Sequence, residues 1–250
     1  MRIAVVGGTG VAGRHVVAAV RERGHEPIVI ARSTGVDLVS GTGLGEALAG
    51  AEVVVDAGNT NALSRRGSIA FFEAAARNLA AAAANAGVRQ IVGLSILGSD
   101  RVPFGYYSGK QRQEQVLRQG SVPVSVLRAT QFHEFAEQFA SRLPGPVLIM
   151  PKWRIQPVAV AEVAAVLAEL AEGQPVPMTE LAGPQEETLA GICRRYLKAR
   201  GTRKKLFEAR LPGSTGKAMA GGESLPGPQT RLGTQSFDAW LELVSNTSLR

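Results

Sequence analysis

The chain has 250 residues, 45% of them apolar, and a single cysteine, Cys193, so no disulfide can form within it. It carries 28 Lys and Arg against 21 Asp and Glu, for a formal net charge of +7, but no nucleic-acid motif accompanies that charge, and only three Tyr and two Trp are present for stacking on bases. No apolar run reaches the length of a membrane span. The longest stretch, residues 70–86, contains Glu73, Arg77 and Asn78 and reads as an alanine-rich helix; with no leader pattern at the N-terminus, a reducing cytoplasm is the expected setting.

In chain order, Arg2–Val6 is an unbroken apolar run that reads as a buried parallel strand. A glycine-rich loop follows, then a helical pattern from Val11 to Arg23, a second strand over Glu26–Ala31, and a short third strand at Val36–Leu38. Leu44–Leu48 reads as a brief helix, and Glu52–Ala57 as a strand ending in Gly58-Asn59-Thr60. A long helix runs from Ser64 to Ala86, with Gly87 as its stop. Val88–Ser95 and Val122–Arg128 read as strands flanking a helix that enters through Phe104–Lys110 and ends near Arg118. This alternation predicts a Rossmann-type doubly wound parallel sheet, class α/β, over residues 1–130.

Beyond residue 130 the pattern is mixed. A helix led by Thr130–Phe135 runs to Arg142, where Pro144-Gly145-Pro146 breaks it. A strand at Val147–Met150, an apolar helix over Val160–Ala171, a strand at Met178–Ala182, a helix over Glu186–Lys198 and a closing helix through Phe237–Leu241 follow. Gly213–Gly227, rich in Gly, Pro and Ser, reads as a mobile loop. Residues 131–250 are expected to complete the sheet and form a small substrate-binding lobe, with the whole chain one structural unit. The basic run Arg194, Arg195, Lys198, Arg200, Arg203, Lys204 and Lys205 reads as a solvated helix face or as a field that attracts an anionic cofactor.

The glycine loop gives the first functional reading. Gly7-Gly8-Thr9-Gly10-Val11-Ala12-Gly13 follows a strand and opens a helix, the context in which glycines let a pyrophosphate approach the backbone while a helix N-terminus presents N–H groups to it. The glycines fit two spacings: Gly8, Gly10 and Gly13 as G-x-G-x-x-G, or Gly7, Gly10 and Gly13 as G-x-x-G-x-x-G. At the end of the second strand, where NAD-using units place an acid for the ribose hydroxyl, the chain has Arg32-Ser33-Thr34 and no acid before Asp37. A guanidinium pairs with a 2′-phosphate and a hydroxyl adds a hydrogen bond, so NADPH/NADP is the expected cofactor. Gly7, Thr9, Gly10, Val11, Ala12, Arg32 and Ser33 are its candidate contacts, with Ala57, Gly58 and Asn59 at the next strand end.

Together with Val55-Asp56-Ala57, Leu94-Ser95, Tyr106-Tyr107-Ser108-Gly109-Lys110, Gln131-Phe132-His133, Gln156-Pro157-Val158 and Phe237–Leu241, these segments resemble the atypical short-chain dehydrogenase/reductases, in particular the NmrA-like NAD(P)H-binding family, over nearly the full length. That resemblance implies one of two classes. The leading expectation is an oxidoreductase that reduces a small apolar or aromatic carbonyl or quinone-like substrate with NADPH. The alternative is an NADP(H)-binding redox sensor that grips a protein partner without turnover, with a non-redox lyase, cyclase or isomerase on the same fold as a third possibility. It also implies Tyr106 as proton donor, Lys110 four residues on as its electrostatic tuner and a holder of the cofactor ribose, and Ser95 as the residue that polarises the carbonyl. An ammonium beside a phenol lowers its pKa from about 10. Tyr107 competes with Tyr106 for this place.

Phe132, His133, Phe135, Trp153 and Met219 are the candidate substrate-binding residues, and their character suggests an apolar ligand. The sequence shows no metal signature, and a homodimer is compatible with it.

Overall fold

The computed structural model describes residues 1–62, 64–142, 145–202 and 204–247. Its elements in chain order are β1 (Arg2–Val6), α1 (Val11–Glu22), β2 (Glu26–Ile30), α2 (Leu44–Ala47), β3 (Val53–Asp56), α3 (Arg65–Asn85), β4 (Gln90–Ile96), α4 (Gly105–Arg118), β5 (Val124–Ala129), α5 (Phe135–Arg142), β6 (Val147–Pro151), β7 (Arg154–Ile155), α6 (Val160–Glu172), β8 (Thr179–Ala182), β9 (Glu187–Thr188), α7 (Leu189–Ala199), β10 (Lys205–Ala209), α8 (Gly213–Gly221), β11 (Arg231–Leu232) and α9 (Phe237–Thr247). The chain divides into two compact units. The first holds residues 1–100, 104–128 and 161–179; the second holds 101–103, 129–160 and 180–250. Most of α6 thus belongs with the amino-terminal strands.

In the first unit the strands lie in the order β5-β4-β3-β1-β2. β1 pairs in parallel with β2 and β3, and β3 with β4, with Val6 level with both Ile30 and Asp56. The chain therefore runs outward in both directions from β1, and the reversal of strand order lies between β1 and β3, where sheets of this kind bind ligands at their carboxyl ends. Alternation along each strand divides its side chains between two faces. Ala4, Val6, Val54 and Ile91 enter one core with Leu44, Ala76, Leu79, Ala83 and Leu117 from α2, α3 and α4. α1 packs on β1 and β2 and buries Val16, Val17 and Val20. This is a Rossmann-type α/β fold.

Gln90, buried at the start of β4, donates to Ser125 Oγ at 2.7 Å and to the Leu170 carbonyl of α6 at 3.2 Å. Helix α6 is thereby fixed to the sheet by a polar contact that its apolar sequence does not announce.

Among the described residues of the second unit, β8 pairs with β11 and β6 with β10, both parallel, and β7 with β9, antiparallel. Two expectations are corrected. Val36–Leu38 forms no strand; the Asp37 carboxylate accepts the N–H groups of Val39 and Ser40 at 2.7 and 2.9 Å and turns the chain. Gly213–Gly221 is helix α8, not part of a loop. A Cβ at Gly216 would lie 1.8 Å from the Leu211 carbonyl, so the glycine there serves close packing. The break expected at Pro144 falls partly outside the described residues.

Candidate functional site

The carboxyl ends of β1, β2 and β3 meet around the glycine loop. Gly7 and Gly8 both donate to the Ile30 carbonyl at the end of β2, at 2.8 and 3.3 Å. Gly7 takes φ +70°, a left-handed conformation that favours glycine, and a Cβ there would sit 2.8 Å from the Ala57 carbonyl beyond β3. At Gly13 a Cβ would lie 2.0 Å from the carbonyl of Gly7. The geometry therefore selects the Gly7, Gly10, Gly13 spacing from the two that the sequence allows.

Gly10 donates to the Gly7 carbonyl at 2.8 Å and caps α1, with no side-chain cap and no acid in the first turn. The first N–H groups of a helix have no intrahelical acceptor. Here they open beside exposed Thr9, Gly10 and Val11, an arrangement suited to an anion. Both observations fit a dinucleotide pyrophosphate.

At the end of β2, Arg32–Thr34 form a single 3-10 turn. Thr34 is committed to it: its hydroxyl donates to the Ala31 carbonyl at 2.8 Å and accepts the Ala31 N–H at 3.0 Å. Arg32 and Ser33 are exposed. Asp37 is held below the usual carboxylate range mainly by the backbone N–H groups of Ser40 and Val39, with a smaller contribution from the Arg32 charge.

Asp56, at the end of β3, is buried; one carboxylate oxygen accepts Gly58 N–H at 2.9 Å and the other accepts Gln113 Nε2 at 2.6 Å. Gln113 Oε1 in turn accepts from Lys110 Nζ at 2.9 Å. Lys110 also donates to the Leu94 carbonyl at 2.8 Å and, more weakly, to that of Gly58 at 3.4 Å, and lies 4.5 Å from the centre of the Phe72 ring. Three N–H groups meet three protein acceptors. Burial pulls the Lys110 ammonium down to about 8, although Asp56 and Glu114 act in the other direction.

Glu114, also buried, gathers a second network. It accepts from Ser95 at 2.5 Å, Ser99 at 3.1 Å, and Arg128 through Nε and Nη2 at 2.9 and 2.8 Å; Arg118 lies at 3.2 Å. Burial alone would raise its pKa, but Arg128 and Ser95 as hydrogen-bond donors, with the charges of Arg128 and Arg118, hold it below the usual range.

The three residues expected to work together have separate partners. Ser95 gives its proton to Glu114, Lys110 is engaged as described, and Tyr106 donates to Asn59 Oδ1 at 3.0 Å. Burial raises the pKa of Tyr106 above its ordinary value, the reverse of what a lysine neighbour would do. Tyr107 is buried, 1% exposed, with its ring 6.3 Å from that of Phe104. The residues that sequence reasoning missed are Gln113, Glu114, Arg118 and Arg128. Their one sequence signal is that Lys110, Gln113 and Glu114 recur at helical spacing on a strongly polar helix.

The expected substrate-binding residues lie in the second unit. Phe135 meets Trp153 edge-on at 5.8 Å, and Trp153 donates to Ser224 Oγ at 3.1 Å. His133 is buried against Phe237 and Trp240 of α9. Its Nε2 lies 3.0 Å from the Gln235 carbonyl, and since a carbonyl only accepts, Nε2 carries the proton. Phe132 bridges to Val158, and Met219 is buried on α8. Cys193 is buried in α7, and its thiol is pushed up to about 12 by that burial. Among the described residues no cluster of His, Cys, Asp and Glu is arranged to hold a metal, and no helix is long and apolar enough to cross a membrane.

The sequence matches the NAD(P)H-binding family over residues 7–173. No curated protein matches it. Among solved structures, the fold is similar to an NADPH-dependent quinone oxidoreductase from Escherichia coli complexed with NADPH (20% identity, 97% of this chain and 99% of that one, TM-score 0.74). It is also similar to a short-chain dehydrogenase/reductase superfamily protein from Agrobacterium tumefaciens with bound NAD (17% identity, 100% and 97%, TM-score 0.69). A third similar structure is a UDP-N-acetylglucosamine 4-epimerase from Bacillus cereus (17% identity, 100% of both chains, TM-score 0.71).

Proposed function

Because the chain belongs to the NAD(P)H-binding family, we propose that it is an NADPH-dependent reductase of quinone-like acceptors. The observation that carries this reading is the loop of Gly7, Gly10 and Gly13 with the uncapped start of α1, set beside exposed Arg32. The first N–H groups of α1 receive the pyrophosphate, Arg32 and Ser33 receive the 2′-phosphate, and Ala57, Gly58 and Asn59 border the nucleotide at the end of β3. When bound, the reduced nicotinamide supplies hydride.

The choice of acceptor follows from the proton. Reducing a simple ketone leaves an alkoxide, a strong base that needs a positioned acid. Tyr106 is a poor one, being bonded to Asn59 and made less acidic by burial, and neither Ser95 nor Lys110 is engaged with it. A quinone accepts hydride to give a stabilised phenolate that water can protonate. The fold's likeness to a quinone oxidoreductase supports the same choice.

Oxidation of NADPH, followed by absorbance with a panel of quinones, enones and aromatic ketones and with NADH alongside, tests the reading. Turnover of quinones with NADPH, retained within a few-fold in Tyr106→Phe, is the expected result. Turnover confined to ketones and abolished in Tyr106→Phe would restore the tyrosine relay. Tight NADPH binding with no turnover would instead leave a dinucleotide sensor, which the separate commitments of Ser95, Tyr106 and Lys110 also suit.

A further inference from the structure

β6 and β10 form a two-stranded parallel sheet of their own, with Val147 level with Lys205 and Ile149 with Phe207. Leu148 and Met150 point inward and are buried, and α7 packs against both strands. Among the described residues the opposite face is open. Ile149 is 67% exposed, Phe207 56% and Val147 48%, and Leu211 just beyond β10 is 43% exposed. Residues level across a parallel pair share a face, so Val147, Ile149, Lys205 and Phe207 stand together. Contiguous apolar side chains left in water mark an interaction surface.

Basic residues accompany these strands. Residues 194–217 contain nine Lys and Arg and one acid, Glu208, an excess of eight positive charges against seven for the whole 250-residue chain with its 28 basic and 21 acidic side chains. Arg195 is taken up by Glu187 and Asp238. Lys205 stands on the open face beside Val147, and Arg210 and Lys152, which directly follow β10 and β6, are exposed as well.

We propose that this face docks on an anionic lipid bilayer, with Ile149 and Phe207 entering the headgroup boundary and the surrounding Lys and Arg meeting lipid phosphates. Charge complementarity selects the occupant. A second copy would set the same cations against each other. Nucleic acid would match the charge, but Val147, Ile149 and Leu211 neither stack on bases nor hydrogen-bond with them. A bilayer surface accepts both features, since clustered basic residues are drawn to anionic headgroups and apolar side chains gain by leaving water. The proposal is independent of the reduction proposed above.

The test is co-sedimentation of the full chain with vesicles of phosphatidylcholine alone or mixed with phosphatidylglycerol. Binding to the mixed vesicles only, weakening as salt is raised, is expected. Lys152→Gln and Lys205→Gln should each cost about fivefold in affinity, and Ile149→Ser with Phe207→Ser about tenfold or more. All are surface changes, and unaltered NADPH affinity shows that the variants are folded. In Phe207→Trp, a blue shift in emission on adding mixed vesicles, absent with phosphatidylcholine, places the side chain at the membrane. Failure to sediment with the mixed vesicles overturns the proposal, as does equal sedimentation of the double serine variant. Phe207-dependent binding of duplex DNA or self-association without vesicle binding also overturns it.

Discussion

Gln113 joins the loop after β3 to helix α4: its amide donates to the buried Asp56 carboxylate at 2.6 Å while its oxygen accepts from Lys110 at 2.9 Å. The other Asp56 oxygen holds Gly58 N–H, so one side chain links an anion, a cation and the backbone that borders the nucleotide site. Gln113→Leu keeps the approximate volume and leaves a carboxylate oxygen and an ammonium proton buried without partners. Such groups cost about 2–4 kcal/mol, and that loss should be read in urea denaturation. A weaker NADPH affinity should accompany it, because the Asp56 carboxylate that holds Gly58 N–H would lose its second anchor.

Gly13 and Gly45 make a matched pair of substitutions. A Cβ at Gly13 lies 2.0 Å from the backbone carbonyl of Gly7, which cannot yield without moving β1, whereas a Cβ at Gly45 in α2 meets nothing within 4 Å. Gly13→Ala should lower stability by about 1–3 kcal/mol or more and abolish measurable cofactor binding. Gly45→Ala should be neutral or raise stability by up to about 1 kcal/mol through helix propensity, with binding unchanged. Thermal melts with and without NADPH read both effects.

Arg32 stands exposed on the turn after β2, and the nearest acid along the chain, Asp37, is occupied by two backbone N–H groups. Charge-assisted hydrogen bonds contribute about 1.5–3 kcal/mol. Arg32→Ala should therefore weaken NADPH roughly 10- to 100-fold and leave NADH nearly unchanged, as measured by titration calorimetry. Equal losses for both cofactors would mean that Arg32 does not face the 2′-phosphate.

The glycine loop, the first two strands and the long helices were legible in the sequence because their signals are local: an apolar run, a glycine spacing, a cap. Ser64, for instance, accepts Gly67 N–H at the start of α3. What stayed hidden depends on distant partners. Nothing in the polar sequence of α4 separates buried Gln113 and Glu114 from solvated neighbours, because their burial follows from Asp56 and Arg128 on other elements. Helix α8 was obscured because Gly216, a poor helix former, is required there by the backbone of Leu211. The Tyr106 and Lys110 spacing was visible, but spacing does not say which acceptor each side chain finds, and here Asn59 and the Leu94 carbonyl took them.

Lys110 should also leave a signature in the pH dependence of stability. Its ammonium is pulled down to about 8 by burial, against an ordinary value of 10.5, so between those two values the unfolded chain binds a proton that the folded one has released. Stability rises with pH wherever the unfolded state holds more protons. Below about 8 both states are protonated and the cost of burying the cation is carried in full. The contribution of Lys110 should thus become more favourable between about pH 8 and 10.5, by at most roughly 3 kcal/mol. The wild type alone does not isolate it, because Tyr106, held protonated by burial, acts in the opposite direction toward the top of that range. The difference in unfolding free energy between wild type and Lys110→Met removes this common term. That difference should shift in favour of the wild type across the window and stay flat between about pH 6 and 7; a difference independent of pH throughout would mean that the buried amine titrates as it does in the unfolded chain.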